Sequence, residues 1–222
     1  MSDTLKVYWT PGNFKLADES WTYLYTEPKQ IEKNKFVITS NIDDQFKLPM
    51  EEINRIQKGK VHRGPVESDA MLAIYQPDRS TVKDHALIQY NMNWHFVTEE
   101  SVNITSSLPI ADAPVLKAIF EEQTQDTSLW YNQFGLRYNI PLSSQTFDLR
   151  AEQPLMYLTI DTDQEVEFIR YDQSVELYNI GEEYFSLKAR YGRAVTDEEL
   201  DKRIKASGLN KLVLSYVKKN II

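Results

Sequence analysis

Only three of the 222 residues are histidines (His62, His85 and His95), and none is a cysteine, so the side chains that most often bind metals or act as nucleophiles are scarce. Without cysteine there is no disulfide scaffold, no thiolate zinc site and no thiol nucleophile. His85 and His95 stand ten residues apart. On one straight strand they would share a face yet lie about 33 Å apart, at ~3.3 Å per residue, too far to hold one ion. Neither H-x-H nor H-x-[DE] occurs, and zinc needs closely converging ligands. No metal and no cofactor are expected.

Asp161, Asp163, Glu165 and Glu167 alternate through what reads as a hairpin turn, which would place alternate carboxylates on one side. A calcium ion wants ~6–8 oxygens from a flexible loop. The EF-hand spacing is missing, because no glycine stands where its sharp turn needs one, so the four acids read as a solvated strand face. With 33 acids in the chain, no pair can be singled out for glycoside hydrolysis. G-x-S-x-G, the P-loop and G-x-G-x-x-G are all absent, which removes the usual support for hydrolase, NTPase and dinucleotide-binding readings. Lys58, Lys60, His62 and Arg63, beside Gly59 and Gly64, form a small basic loop where an anion could sit; an exposed loop has the same composition. The sequence names no reaction.

The aromatic residues are a richer source. Trp9, Trp21, Tyr23, Tyr25, Trp94, Trp130, Tyr131 and Tyr138 fall mostly on expected strands, where they either fill a core or form a stacking or protein-binding surface. Trp94, His95, Trp130, Arg137 and Tyr138 are the candidate ligand or partner surface. Arg137 stands out as a cation between aromatics on a strand, and the plain alternative is pairing with a nearby acid.

Strands must position these residues. Leu5 to Trp9 alternates and stops at Thr10-Pro11-Gly12-Asn13. Further strands are expected at Trp21–Tyr25, Lys35–Ser40 and Met71–Tyr75, with a short helix after Pro49. From Ala86 to Phe96 the periodicity is strictly two: Ile88, Tyr90, Met92, Trp94 and Phe96 take one face, and Gln89, Asn91, Asn93 and His95 the other. Ser101 to Ser106 reads as its hairpin partner after a Glu99-Glu100 turn. Val115 to Phe120 fits a strand or a helical turn equally. Ser128 to Tyr171 reads as consecutive strands and has the clearest pattern in the chain.

After about Ser174 the character changes. Val175 to Tyr191 suits a helix or an irregular segment. Thr196-Asp197-Glu198-Glu199 is a capping box that starts a helix running to about Ala206. Gly208 ends it, and Leu209 to Lys219 repeats apolar residues at helical spacing. The fold class expected is α+β, mostly β: an antiparallel sandwich or jelly-roll-like domain over residues 1–173, with a helical extension, 174–222, packed on it. Two helices alone are too small to fold independently.

Charge is unevenly placed. The net of −8 divides into −8 over residues 143–187, +5 over 188–222 and −5 over the rest. The basic tail either docks on the acidic strands or is simply solvated. The net charge argues against nucleic-acid binding, which depends on Lys and Arg neutralising phosphates. No apolar run approaches the ~20 residues that span a bilayer, and no signal peptide is visible, so no membrane role is expected.

Trp130, Phe134, Arg137, Tyr138, Ala151, Pro154, Leu155, Tyr157, Val166, Glu167, Phe168 and Tyr171 stand in an order that resembles an uncharacterised protein family of contractile-tailed marine bacteriophages. Val7-Tyr8-Trp9-Thr10-Pro11, Trp21 and Glu27-Pro28-Lys29 are similar in the same way. The resemblance implies a phage origin and a place in the host cytoplasm or the virion; it carries over no catalytic residue. A more distant likeness is to cupin and jelly-roll domains, where a small turn, here Ala151 to Pro154, feeds an apolar strand. The cupin histidine pattern is missing. The expected function is therefore a non-enzymatic phage accessory protein that binds a protein partner or itself, host-directed or in particle assembly. The alternatives are a cupin-like small-molecule binder or enzyme with a pocket inside the β scaffold, and a structural component of the virion.

Overall fold

The computed structural model describes residues 4–10, 27–40, 44–47, 64–66, 73–76, 82–108, 119–120, 122–128, 134–141, 143, 146–172, 176–177, 179–181, 183–184, 186 and 195–222. The expected strand at Trp21–Tyr25, the short helix after Pro49 and the basic loop at 58–63 lie outside them. Among the described residues fourteen strands form three sheets, and the fold is mostly β with helices at the C-terminal end.

The larger sheet is built around β7 (His85–Val97), which is long enough for two strands to share one of its sides. β1 (Thr4–Thr10) pairs with its last three residues, and β6 (Ala73–Gln76) with Leu87 to Tyr90. β11 (Phe134–Pro141) runs along the other side and carries β9 (Ile119–Phe120). β5 (Gly64–Val66) continues from β6, and β14 (Glu165–Arg170) forms the edge beyond β1. The second sheet has the order β10 (Gln123–Asp126), β8 (Asn103–Ser107), β13 (Pro154–Ile160), β3 (Lys35–Thr39), β2 (Lys29–Glu32). β4 (Asp44–Lys47) and β12 (Thr146–Leu149) make a separate pair.

Two faces of the larger sheet are covered, and β1 shows why its sequence permits this. Leu5, Val7 and Trp9 alternate with Lys6 and Tyr8, and everything from Val7 to Thr10 is buried. Val7 lies opposite Phe168, whose ring stands edge-on to Phe36 of the second sheet at 4.7 Å and to Phe96 at 6.2 Å. That face therefore meets the other sheet. Tyr8 points the opposite way, into a cluster with Val97, Tyr171 and the helices. β1 and β14 run parallel, and on the helix side of this pair Tyr8 and Ile169 are covered while Lys6, Glu165 and Glu167 stay exposed.

The expected pairing of Ser101–Ser106 with the preceding strand is corrected. β8 pairs with β10 and β13 in the second sheet. The chain crosses between sheets at 98–102, where buried Thr98 hydrogen-bonds both the Thr127 hydroxyl and the Glu100 carbonyl. Beside β7 this segment would form an edge; in the second sheet it has a ladder on both sides and buries Ile104 and Ser106. The hairpin expected around Asp161–Glu167 is corrected in the same way, since β13 and β14 belong to different sheets. Sheet-to-sheet crossings at 98–102 and 161–164 help build a two-sheet, sandwich-like body. The four acids are exposed, as expected.

In β13 a register shift between Pro154 and Met156 accompanies burial of both Leu155 and Met156, where strict alternation would bury one of them. Met156, Leu158 and Ile160 share the interior face of this strand, and together with Ile38, Ile104, Phe96 and Tyr138 these side chains fill the described part of the space between the sheets.

The helical layer follows its sequence signals closely. Residues between 176 and 186 are helical where described, and Leu177, Ile180 and Tyr184 are buried at helical spacing. In α1 (Asp197–Ser207), Thr196 is the N-cap, and its hydroxyl accepts the Glu199 backbone N–H at 3.3 Å. Gly208, at φ 80°, ends α1 and begins α2 (Leu209–Lys219). Leu200, Ile204, Leu209, Val213 and Val217 pack with Tyr8, Val97 and Tyr171, so sheet and tail share one core.

The basic tail docks within the chain. Lys205 pairs with Asp126 at 3.2 Å and Lys218 with Glu99 at 2.7 Å, neither acid coming from the acidic 143–187 stretch. Both lysines are about half exposed, so these pairs add little beside the apolar cluster. No described helix is long and apolar enough to cross a membrane.

Candidate binding cleft

The two sheets end side by side along one border of the sandwich, β14 closing the larger sheet and β2 the smaller. A cleft of about 480 Å³ opens there, with Trp9, Phe36 and Phe168 among its lining residues and Glu27, Gln30 and Arg170 as polar ones. Its position follows from alternation: Trp9 on β1 lies opposite Arg170 on β14, so both side chains take the inter-sheet face. The guanidinium carbon of Arg170 sits 6.0 Å from the centre of the Trp9 ring, within cation–π reach.

Arg170 is half-buried. Its Nε is shut off from solvent with no hydrogen-bond partner, and no ion pair among the described residues involves it. Glu27 and Glu167 line the same cleft without reaching it. The end of the cleft is closed by the chain itself: the Ile222 N–H donates to the Arg170 carbonyl at 3.1 Å, and Tyr171 bridges Ile221. Along the rest of β14, and along all of β2, only one side of each strand is paired among the described residues. All four residues of β2 are exposed, Ile31 to 48%.

The residues singled out from the sequence lie elsewhere. Tyr138 is fully buried, and its hydroxyl donates to the Leu155 carbonyl across the sandwich at 2.9 Å. Burial pushes that hydroxyl well above the ordinary tyrosine value. His95 is also buried, opposite Thr10 on the helix-facing side of the sheet. Arg137 is half-buried beside Tyr138, and adjacent strand residues take opposite faces. Trp94 lies opposite Phe134 at the far end of the β7–β11 ladder from Tyr138; its side chain, and all of Trp130, lie outside the described residues.

The adjacent strands β7 and β11 thus bring Trp94, His95, Arg137 and Tyr138 into one sheet, while burial removes His95 and Tyr138 from the described surface. His85 and His95 do share one strand, and the His85 Nδ1 donates to the Lys83 carbonyl at 2.7 Å. Among the described residues no three His, Asp or Glu side chains gather as metal ligands.

Sequence reasoning missed Arg170. The available signal was Phe168 and Arg170 sharing a strand face beside an aromatic-rich β1, but only the parallel β1–β14 pairing, made across more than 150 residues of chain, sets Arg170 against Trp9. Comparison with protein-family models, with curated proteins and with solved structures returns no match to this chain.

Proposed function

We propose that this protein acts by binding another protein, taking an extended segment of it along the border between β14 and β2. The observation that carries this reading is the cleft itself, whose walls are two strands with an unpaired side among the described residues and whose lining mixes aromatic rings with a cation. Strand addition at a sheet edge supplies backbone hydrogen bonds, and alternate side chains reach into pockets beside it. Residues that carry the phage resemblance, Trp9, Glu27-Pro28 and Val166 to Phe168, meet at this cleft from three distant parts of the chain. In that setting the protein is a phage accessory factor in the host cytoplasm or the virion, and its partner is a host protein or a particle component.

A photo-crosslinking residue placed at Ile31 tests this, with Leu212, exposed on α2, as the control position. Expected is a defined crosslinked protein from infected cells or purified particles at position 31 and not at 212. Equal labelling at both positions, or none at 31, sinks the reading.

A further inference from the structure

We infer that the Arg170–Trp9 corner of the cleft receives a single carboxylate, an Asp or Glu side chain of the bound segment; this rests on the peptide-binding reading above. Arg170 is a permanent cation, held over the Trp9 ring and half-buried at the cleft wall. Its Nε is desolvated and lacks a hydrogen-bond partner. A buried donor on a charged group left unmade is costly, and a carboxylate is the acceptor whose geometry matches the guanidinium fork. Nε itself is enclosed, so the two terminal guanidinium nitrogens, which are not, are the donors that an incoming carboxylate can meet.

The surroundings define how much negative charge is admitted. Glu27 and Glu167 also line the cleft, and the chain carries a net −8, so a phosphate or a polyanion would meet more repulsion than a single carboxylate, whose one charge Arg170 matches. Half-buried Phe168 lies in the same lining, offering apolar surface to the residues beside that carboxylate. The motif expected is therefore one acidic residue flanked by apolar or aromatic residues, in an extended strand.

The test is to select a random dodecapeptide library on the intact protein, then measure affinities of the enriched peptides for wild type, Arg170→Gln and Arg170→Lys. Expected are peptides sharing one acidic residue with apolar neighbours. Affinity should fall by about tenfold or more in Arg170→Gln, as loss of a charge-assisted hydrogen bond predicts, and partly recover in Arg170→Lys. Thermal unfolding of both variants close to wild type shows that the loss is local. Enriched peptides without an acidic residue, or with equal affinity for Arg170→Gln, overturn the carboxylate assignment while leaving peptide binding intact. No enrichment at all overturns both.

Discussion

The Tyr138 hydroxyl donates to the Leu155 carbonyl at 2.9 Å, a single hydrogen bond that joins β11 of the larger sheet to β13 of the smaller across a fully buried interior. Phe120 stands edge-on to the Tyr138 ring at 5.4 Å, so the phenol is held on an apolar wall with only its hydroxyl satisfied by the opposite sheet. A neutral donor is what the carbonyl requires, and burial keeps the hydroxyl protonated far above its ordinary range.

Tyr138→Phe removes that donor and leaves a buried carbonyl short of it, which should cost about 1–3 kcal/mol in urea unfolding at pH 7. The folded-state value is raised, so the contribution is complete below the ordinary tyrosine value near 10 and is lost as pH rises above it. Repeating the measurement near pH 11 should narrow the gap between wild type and Tyr138→Phe. A gap that stays constant contradicts the assignment.

Ile204 on α1 is 1% exposed in the core shared by sheet and helices. Ile204→Ala should destabilise the protein by about 2–5 kcal/mol. Because Tyr8, Val97 and Tyr171 belong to the same cluster, strand and helix signals should lose stability together in one denaturant transition. Helices that melt first, with the β signal unchanged, would show two independent units.

Partial burial alone would raise the Asp126 carboxyl. Hydrogen bonds from Ser101 Oγ at 2.7 Å, from the Ser128 N–H at 2.9 Å and from Lys205 Nζ at 3.2 Å outweigh it and hold the group below its usual range. Stability from a depressed carboxylate is present above the unfolded value near 4 and disappears as pH falls through the folded one. Asp126→Asn should therefore be less stable than wild type at pH 7, by about 1 kcal/mol for partly exposed bonds, and the two should converge in acid. Denaturation midpoints at pH 7 and pH 3 decide it.

Gly208 joins α1 to α2 at φ 80°, and a Cβ added there would meet nothing within 4 Å. Gly208→Ala should thus cost only the left-handed backbone penalty, about 1 kcal/mol, and Gly208→Asn somewhat less. Thermal unfolding of the two variants gives the order. An alanine variant as stable as wild type would mean that the turn relaxes.

Local signals read correctly wherever the physics was local. Thr196 and Glu199 marked the start of α1, Gly208 its end, and the spacing of Leu209, Val213 and Val217 the buried face of α2, because each depends on residues within a turn or two. The alternation of Leu5 to Trp9 and of Ala86 to Phe96 gave strands for the same reason. Charge segregation left docking and solvation of the tail both open, since Asp126 and Glu99 reach the lysines only through the fold.

From its own order, then, the chain determined a mostly β body with a capped helical tail, because period and capping are short-range properties of the backbone. Pairing was decided only in three dimensions. β8 reads as a neighbour of β7 yet joins β10 and β13, and β14 leaves β13 to lie parallel to β1. Alternation says that a strand has two faces; it does not say which strand lies beside it, and burial of Ile104 and the contact of the Phe168 ring with Phe36 between sheets settled that choice. The cleft has the same origin. Arg170 and Trp9 are 161 positions apart, and only the β1–β14 ladder gives the cation its aromatic ring and its opening to a partner.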